Sequence, residues 1–280
     1  PAHYSNQKIK VNAKVDGHLN KLNIPQLQIS GLKNTQIVII GKANNVTDVK
    51  KAFLDLNIKK LHTTKSDILA LTPKNTIPNS IELPNVINAN GKFKGSMTNF
   101  STNLNVKTDM GGAVLAATMN GPKGKESYKA NINLNNFNVG KLLKQQPTLG
   151  RVSAKANVVG IGLDPKKINA KFNATVINAY YNKYTYRNLQ LSGNYANQKV
   201  ALKGNMPDSN ANFELTANAN LAGKYPAVKA KLALKQIDLQ KLNFSKTEFK
   251  IAGNIDADIK TADVDYLNGD VFATGLQLVK

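Results

Sequence analysis

Histidine, the usual general base near neutral pH, occurs only at His3, His18 and His62, and no two of these share a local motif. A base–nucleophile pair would have to be assembled across distant segments, so the three read as surface or edge residues. Cysteine is absent, which removes thiol nucleophiles, disulfide scaffolds and Cys-ligated zinc. Gly160-Ile161-Gly162 opens like a dinucleotide-binding loop. Such a loop needs a third glycine and a helix whose N-terminus receives the pyrophosphate. Here Pro165 stands in the third place and a strand pattern follows, so the glycines read as turn or bulge residues. Gly121 to Lys125 lacks the spacing of a Walker loop. Asp256, Asp258, Asp263, Asp265 and Asp270 form an acidic cluster, and oxygen-rich loops suit Ca²⁺. Yet Thr261 takes the place of the turn glycine and Leu267 that of the bidentate Glu. Asp256 and Asp258 also alternate with Ile255, Ala257 and Ile259, as on a solvated strand face. Tyr180, Tyr181, Tyr184 and Tyr186 hold four of the nine tyrosines. Tyr184 and Tyr186 share a face beyond an Asn182-Lys183 hairpin turn. They read either as cross-strand aromatic packing or as a groove-rim contact for lipid or glycan. No enzyme, cofactor or metal site is expected.

The chain of 280 residues carries 38 Lys and Arg against 17 Asp and Glu, a formal charge of +21. Such basicity raises nucleic acid as a partner. However, Arg151 and Arg187 are the only arginines, and base-reading or phosphate-clamping sites favour the arginine fork. The lysines are spread along the whole chain, beside 38 asparagines. A solvated outer face, or attraction to an anionic surface, headgroup or envelope polymer, explains the charge better than nucleic acid. No stretch approaches the ~18 apolar residues of a membrane-spanning helix; the longest strong run is Ile37-Val38-Ile39-Ile40. The chain begins at Pro1 without an initiator Met and ends inside an alternating pattern, so it is expected to be a piece of a longer protein.

The elements that would position any site are strands. Period-two alternation dominates. Ile9, Val11, Ala13 and Val15 form one stripe, and Tyr128, Ala130, Ile132 and Leu134 another. Val152, Ala154, Ala156 and Val158 follow, then Ile168, Ala170, Phe172, Ala174 and Val176. Further on come Phe213, Leu215, Ala217, Ala219 and Leu221, then Ala230, Leu232 and Leu234, then Phe249, Ile251, Ile255, Ala257 and Ile259. Each stripe faces Lys and Asn on its other side, the pattern of an antiparallel sheet wet on one face. Turns are expected at Asn44-Asn45, Gly111-Gly112, Asn120-Gly121-Pro122, Asn182-Lys183, Met206-Pro207-Asp208 and Asn268-Gly269.

Helical signal is confined to three short places, each after a strand and each opened by a capping-type residue. Ser66-Asp67 precedes Ile68, Leu69 and Leu71; Asn138 precedes Val139, Leu142 and Leu143; Asp238 precedes Leu239 and Leu242. The flanking strands also match, which implies a degenerate repeat. The expected divisions are the end of an upstream repeat over 1–65, repeat units over 66–137 and 138–237, and a truncated unit over 238–280. The apolar stripes are rich in Ala, Val and Ile, whereas a sandwich core needs larger side chains to fill ~10 Å between sheets. The expected fold is mostly β: elongated antiparallel β-meander repeats curled into an open groove, with a few short helices. The residues expected to line the groove are Ile9, Val11, Val15, Ala130, Ile132, Leu134, Val152, Ala154, Val158, Phe172, Val176, Phe213, Leu215, Leu232, Leu234, Phe249, Ile251 and Ile255. From the residues alone, a closed structural or adhesin-like scaffold with a filled core fits the alternation equally well.

Four stretches carry a resemblance. They are Ile132-Asn133-Leu134-Asn135-Asn136-Phe137-Asn138-Val139-Gly140-Lys141-Leu142-Leu143, then Leu149-Gly150-Arg151-Val152-Ser153 leading to Gly160-Ile161-Gly162-Leu163-Asp164-Pro165, then Tyr181 to Leu189, and Gly223-Lys224-Tyr225-Pro226. In this order they resemble the TamB proteins of the translocation and assembly module, in their Bacteroidota form, within the AsmA-like group. The resemblance implies an inner-membrane-anchored, periplasmic protein whose β-taco groove carries phospholipid toward the outer membrane. It also implies a link to outer-membrane protein assembly, with a barrel protein contacted through regions outside this segment. The segment itself would be a monomeric middle piece of the groove.

Overall fold

Residues that alternate apolar and polar along an extended backbone place the two kinds on opposite sides, and here nearly the whole chain does so. The structure, a computed structural model, describes residues 8–73, 76–122, 124–164, 166–262 and 266–279. Its first strands are β1 (Ile9–His18), β2 (Lys21–Gly31), β3 (Thr35–Asn44), β4 (Phe53–Thr64), β5 (Val86–Gly95), β6 (Phe100–Thr108), β7 (Gly111–Asn120) and β8 (Ser127–Asn138). They continue as β9 (Leu149–Ile161), β10 (Asn169–Tyr181), β11 (Tyr184–Ala196), β12 (Lys199–Pro207), β13 (Ala211–Asn220), β14 (Ala227–Asp238), β15 (Lys250–Ala262) and β16 (Leu267–Val279). Consecutive strands are hydrogen-bonded neighbours, in one sixteen-stranded sheet ordered β1 to β16. The sheet is an open antiparallel meander with β1 and β16 as its end strands. The chain divides into two compact units, Pro1–Pro122 with Ala130–Gln146, and Lys123–Lys129 with Pro147–Lys280.

The chain leaves the sheet after β4, β8 and β14, at the three expected helical places. Two are helices, α1 (Lys65–Leu71) and α2 (Val139–Leu142). The third is a correction: residues 239–243 make turns, closed by the Leu242 N–H on the Asp238 carbonyl at 3.0 Å. Capping chemistry survives in both short cases. Asn138 Oδ1 accepts the Lys141 N–H at 2.9 Å, and Asp238 Oδ1 accepts that of Lys241 at 2.9 Å. The Ser66-Asp67 cap is corrected too. Thr64 is the N-cap and makes no side-chain cap bond, while Asp67 lies in the first turn, buried.

Three expected turns move, one of them because Met206 and Pro207 end β12 and the chain turns over 208–210. Asp109-Met110 joins β6 to β7, so Gly111-Gly112 begins β7, and Asn268-Gly269 lies inside β16. Asn182 and Lys183 both have positive φ, 48° and 63°, and Asn197-Gln198 repeats this at 49° and 62°. Paired positive φ gives the twist that a two-residue hairpin needs.

Gly95 closes β5 with φ +136°, and a Cβ there would meet the Asn99 carbonyl and lie 2.5 Å from the Phe100 Cα. Gly95→Ala is therefore expected to destabilise the protein by about 1–3 kcal/mol, read as a lower thermal midpoint.

Candidate functional site

Antiparallel register puts directly opposed residues on one face, so the pairing shows which side chains share a surface. In the second unit one row runs Val158–Phe172–Gly193–Leu202–Ala217–Ala230–Ala257 across β9 to β15. The next runs Ala156–Ala174–Leu191–Gly204–Leu215–Leu232–Ile255. Ala154 faces Val176, and Phe213 faces Leu234. In the first unit Val11 faces Ile29, Ile9 faces Gly31, and a row continues Ile29–Ile37–Leu61–Ala89–Val106–Ala113. A parallel row runs Leu27–Ile39–Ile58–Gly91–Leu104–Leu115.

Most expected lining residues therefore fall on shared apolar rows. On β8, Ala130 and Leu134 are half-buried, and Ile132 is 36% exposed. Ile9, Val11 and Val15 sit on the end strand and are all more than half exposed, Val15 where the β1–β2 register shifts. Val152 faces Ala179, beyond a shift that follows Val176. Ile251 faces Ile237, beyond a bulge after Leu234. Phe249 precedes β15 and is 37% exposed. The rows also contain residues that the alternating stripes omit: those of β2 to β7, and Leu189, Leu191, Val200 and Leu202. Bulges hide them. Register shifts between Ile24 and Leu27 and between Ile58 and Leu61 insert extra residues, and an extra residue throws a period-two count out of phase. The run Ile37 to Ile40 adds Val38 and Ile40 on the other face, masking the alternation of Ile37 and Ile39.

The apolar face is not packed shut. Among the described residues, the buried apolar side chains are Ala43, Pro84, Met110, Ala170, Met206, Ala211, Leu234 and Leu242. Phe172, Phe213, Leu215 and Leu232 are only partly buried.

One part of the face in the second unit is covered. After β14 the chain places Leu242, 3% exposed, against Met206 and Ala211, with Tyr184, Tyr186, Leu189, Phe213 and Ile237 around them. Asn182 Nδ2 donates to the Leu242 and Asn243 carbonyls at 3.2 and 3.1 Å, and Asn243 Nδ2 donates to the Asn182 carbonyl at 3.0 Å. The turn is thus tied to the β10–β11 hairpin. The tyrosines belong to this cap. Tyr184 and Tyr186 meet edge to face at 4.9 Å, and Tyr181 lies 6.3 Å from Tyr186. The Tyr184 hydroxyl donates to Asp208 Oδ1 at 2.6 Å. Burial, and then the Asp208 carboxylate beside it, push the Tyr184 phenol above its ordinary pKa. Packing accounts for Tyr184 and Tyr186, whereas Tyr180 and Tyr181 remain exposed. Leu242→Ala is expected to cost about 2–4 kcal/mol and to uncover this part of the face, seen in denaturant unfolding and increased binding of an apolar dye.

The remaining chemical candidates are absorbed by the sheet. Asp258 and Asp256 pair with Lys229 at 2.7 Å and Lys231 at 3.2 Å on the polar face. Asp263 and Asp265 lie outside the described residues, as do His3 and Pro165. His62 Nδ1 lies 2.8 Å from Asn88 Oδ1, and His18 ends β1, exposed. Gly160 lies next to the end of β9, against the Tyr128 hydroxyl, Gly162 takes φ +78°, and strand β10 follows. No helix among the described residues is long and apolar enough to cross a membrane. Comparison with family models, with curated proteins and with solved structures finds no match.

Proposed function

We propose that the apolar face binds acyl chains, and that the chain is a lipid-conducting segment of a periplasmic protein carrying phospholipid between inner and outer membranes. The observation that carries this reading is the pair of partly buried apolar surfaces, one in each unit, built from registered rows and, outside the part under the Leu242 turn, left without a buried core among the described residues. A scaffold with a filled core would bury its large side chains, whereas Phe172, Leu215 and Leu232 are only partly buried. The lining is mostly aliphatic, and such a surface offers acyl chains contact without directional demands. Each buried CH₂ contributes about 0.8 kcal/mol, so a chain of about 14 methylenes gains on the order of 11 kcal/mol gross, before entropy and headgroup costs. The resemblance to TamB supplies the cellular setting, and no catalytic group is required.

Native mass spectrometry after gentle purification tests it. Phospholipid adducts on the folded chain are the expected result. Their absence, together with no crosslink to lipid from a photoreactive residue at Phe172 or Leu232, would sink the reading.

A further inference from the structure

The polar face of the second unit is not uniformly lysine and asparagine. Three alanines, Ala196, Ala201 and Ala227, take outward positions there. Ala201 lies between Asn194 and Asn218, Ala227 faces Asn220, and Ala196 faces Lys199. Where long side chains would stand, these methyls leave an open hollow of about 840 Å³, within the usual size of a ligand site, about 300–1,000 Å³. Its walls carry Lys199, Lys229 and Lys260 against one carboxylate, Asp258. Asp258 is paired with Lys229 at 2.7 Å, and Asp270 lies opposite it on β16. Lys199 and Lys260 make no ion pair among the described residues, nor do the side-chain amides of Asn194, Asn197 and Asn218 make a hydrogen bond there.

We propose that this hollow is a binding site for an acidic oligosaccharide. Two lysines that make no ion pair among the described residues call for an anionic group. An amide both donates and accepts, as a sugar hydroxyl does; a bare phosphate or sulfate would leave the Asn Oδ1 acceptors unmatched. The alanine floor suits the C–H face of a sugar ring. The hollow is open across strands β11 to β15, so it admits a linear oligomer. The site lies on the face opposite the apolar rows and does not depend on lipid binding.

Calorimetric titration of the full chain with trigalacturonate, maltotriose, glycerol phosphate and triglutamate tests this. Trigalacturonate is expected to bind, and maltotriose to bind at least several-fold more weakly. Lys199→Gln with Lys260→Gln is expected to weaken trigalacturonate about fivefold or more, the effect of two exposed charged contacts. Ala201→Phe, which fills the floor without changing charge, is expected to abolish binding. Lys10→Gln with Lys14→Gln, the same charge change on β1, should leave affinity unchanged; an equal loss there would show general charge attraction and overturn the site. Absence of trigalacturonate binding, or tighter binding of glycerol phosphate or triglutamate at the same residues, also overturns it.

Discussion

Leu215→Asp is expected to strip phospholipid from the purified chain while leaving the sheet folded. Leu215 sits in the middle of its row, opposite Gly204 on one side and Leu232 on the other. It is only partly buried, so a carboxylate there keeps contact with water and stays charged without unfolding the strand. An acyl chain lying on that row would have to desolvate the charge, and burying an unpaired charge costs several kcal/mol. Aspartate is chosen because its short side chain cannot reach away to water as lysine does. Bound lipid should fall at least about tenfold, equivalent to 1.4 kcal/mol, in native mass spectra. Asn173→Asp adds the same charge to the polar face of β10, between Asn157 and Ser192, and should leave lipid binding intact. Equal loss in both variants would mean that charge, not the apolar row, governs binding.

Asp67→Asn should have a large effect on stability. Asp67 is 2% exposed, and its carboxylate accepts the Lys33 N–H at 3.1 Å, the Asn34 N–H at 2.9 Å and the Thr35 hydroxyl at 2.8 Å. It ties α1 back to the β2–β3 hairpin, across a separation of more than thirty residues. An asparagine amide would turn donors toward donors and leave a buried partner unsatisfied. The expected cost is about 2–4 kcal/mol. The pH dependence has a definite sign. Burial pushes this carboxyl up, but the Asn34 N–H, the Thr35 hydroxyl and the Lys33 N–H outweigh it and hold it below its ordinary pKa of 3.8. A lowered folded pKa means the charged form is stabilised by folding. That contribution is complete above the unfolded value and lost as pH falls through the folded one. Thermal unfolding should therefore show wild type well above Asp67→Asn at neutral pH, with the gap narrowing below about pH 4. A gap that persisted unchanged into strong acid would show that the charge contributes nothing.

Much of this molecule was legible one strand at a time. Where alternation is unbroken, as in β10 and β13, the residues on the apolar row could be named from the sequence. This is because a strand's side-chain period is a local property of the backbone. The caps at Asn138 and Asp238 were legible for the same reason, since a cap bond spans only three residues. Asp67 was not. It carries the letter of a capping residue, but its partners lie in another hairpin, and distant partners leave no local mark.

Sequence alone determined the class of structure, strands wet on one face and apolar on the other, because that follows from period two and composition. Tertiary structure decided the rest. Register, shifted by bulges, chose which rows join across strands and brought in residues that break local alternation. The strand order ends at β1 and β16 without pairing them, which left the sheet open. The amount of chain returning over each apolar face decided that it would stay half-exposed rather than become a core. These are relations between segments far apart in the chain, and one extra residue in a strand is enough to move a whole set of side chains from one face to the other.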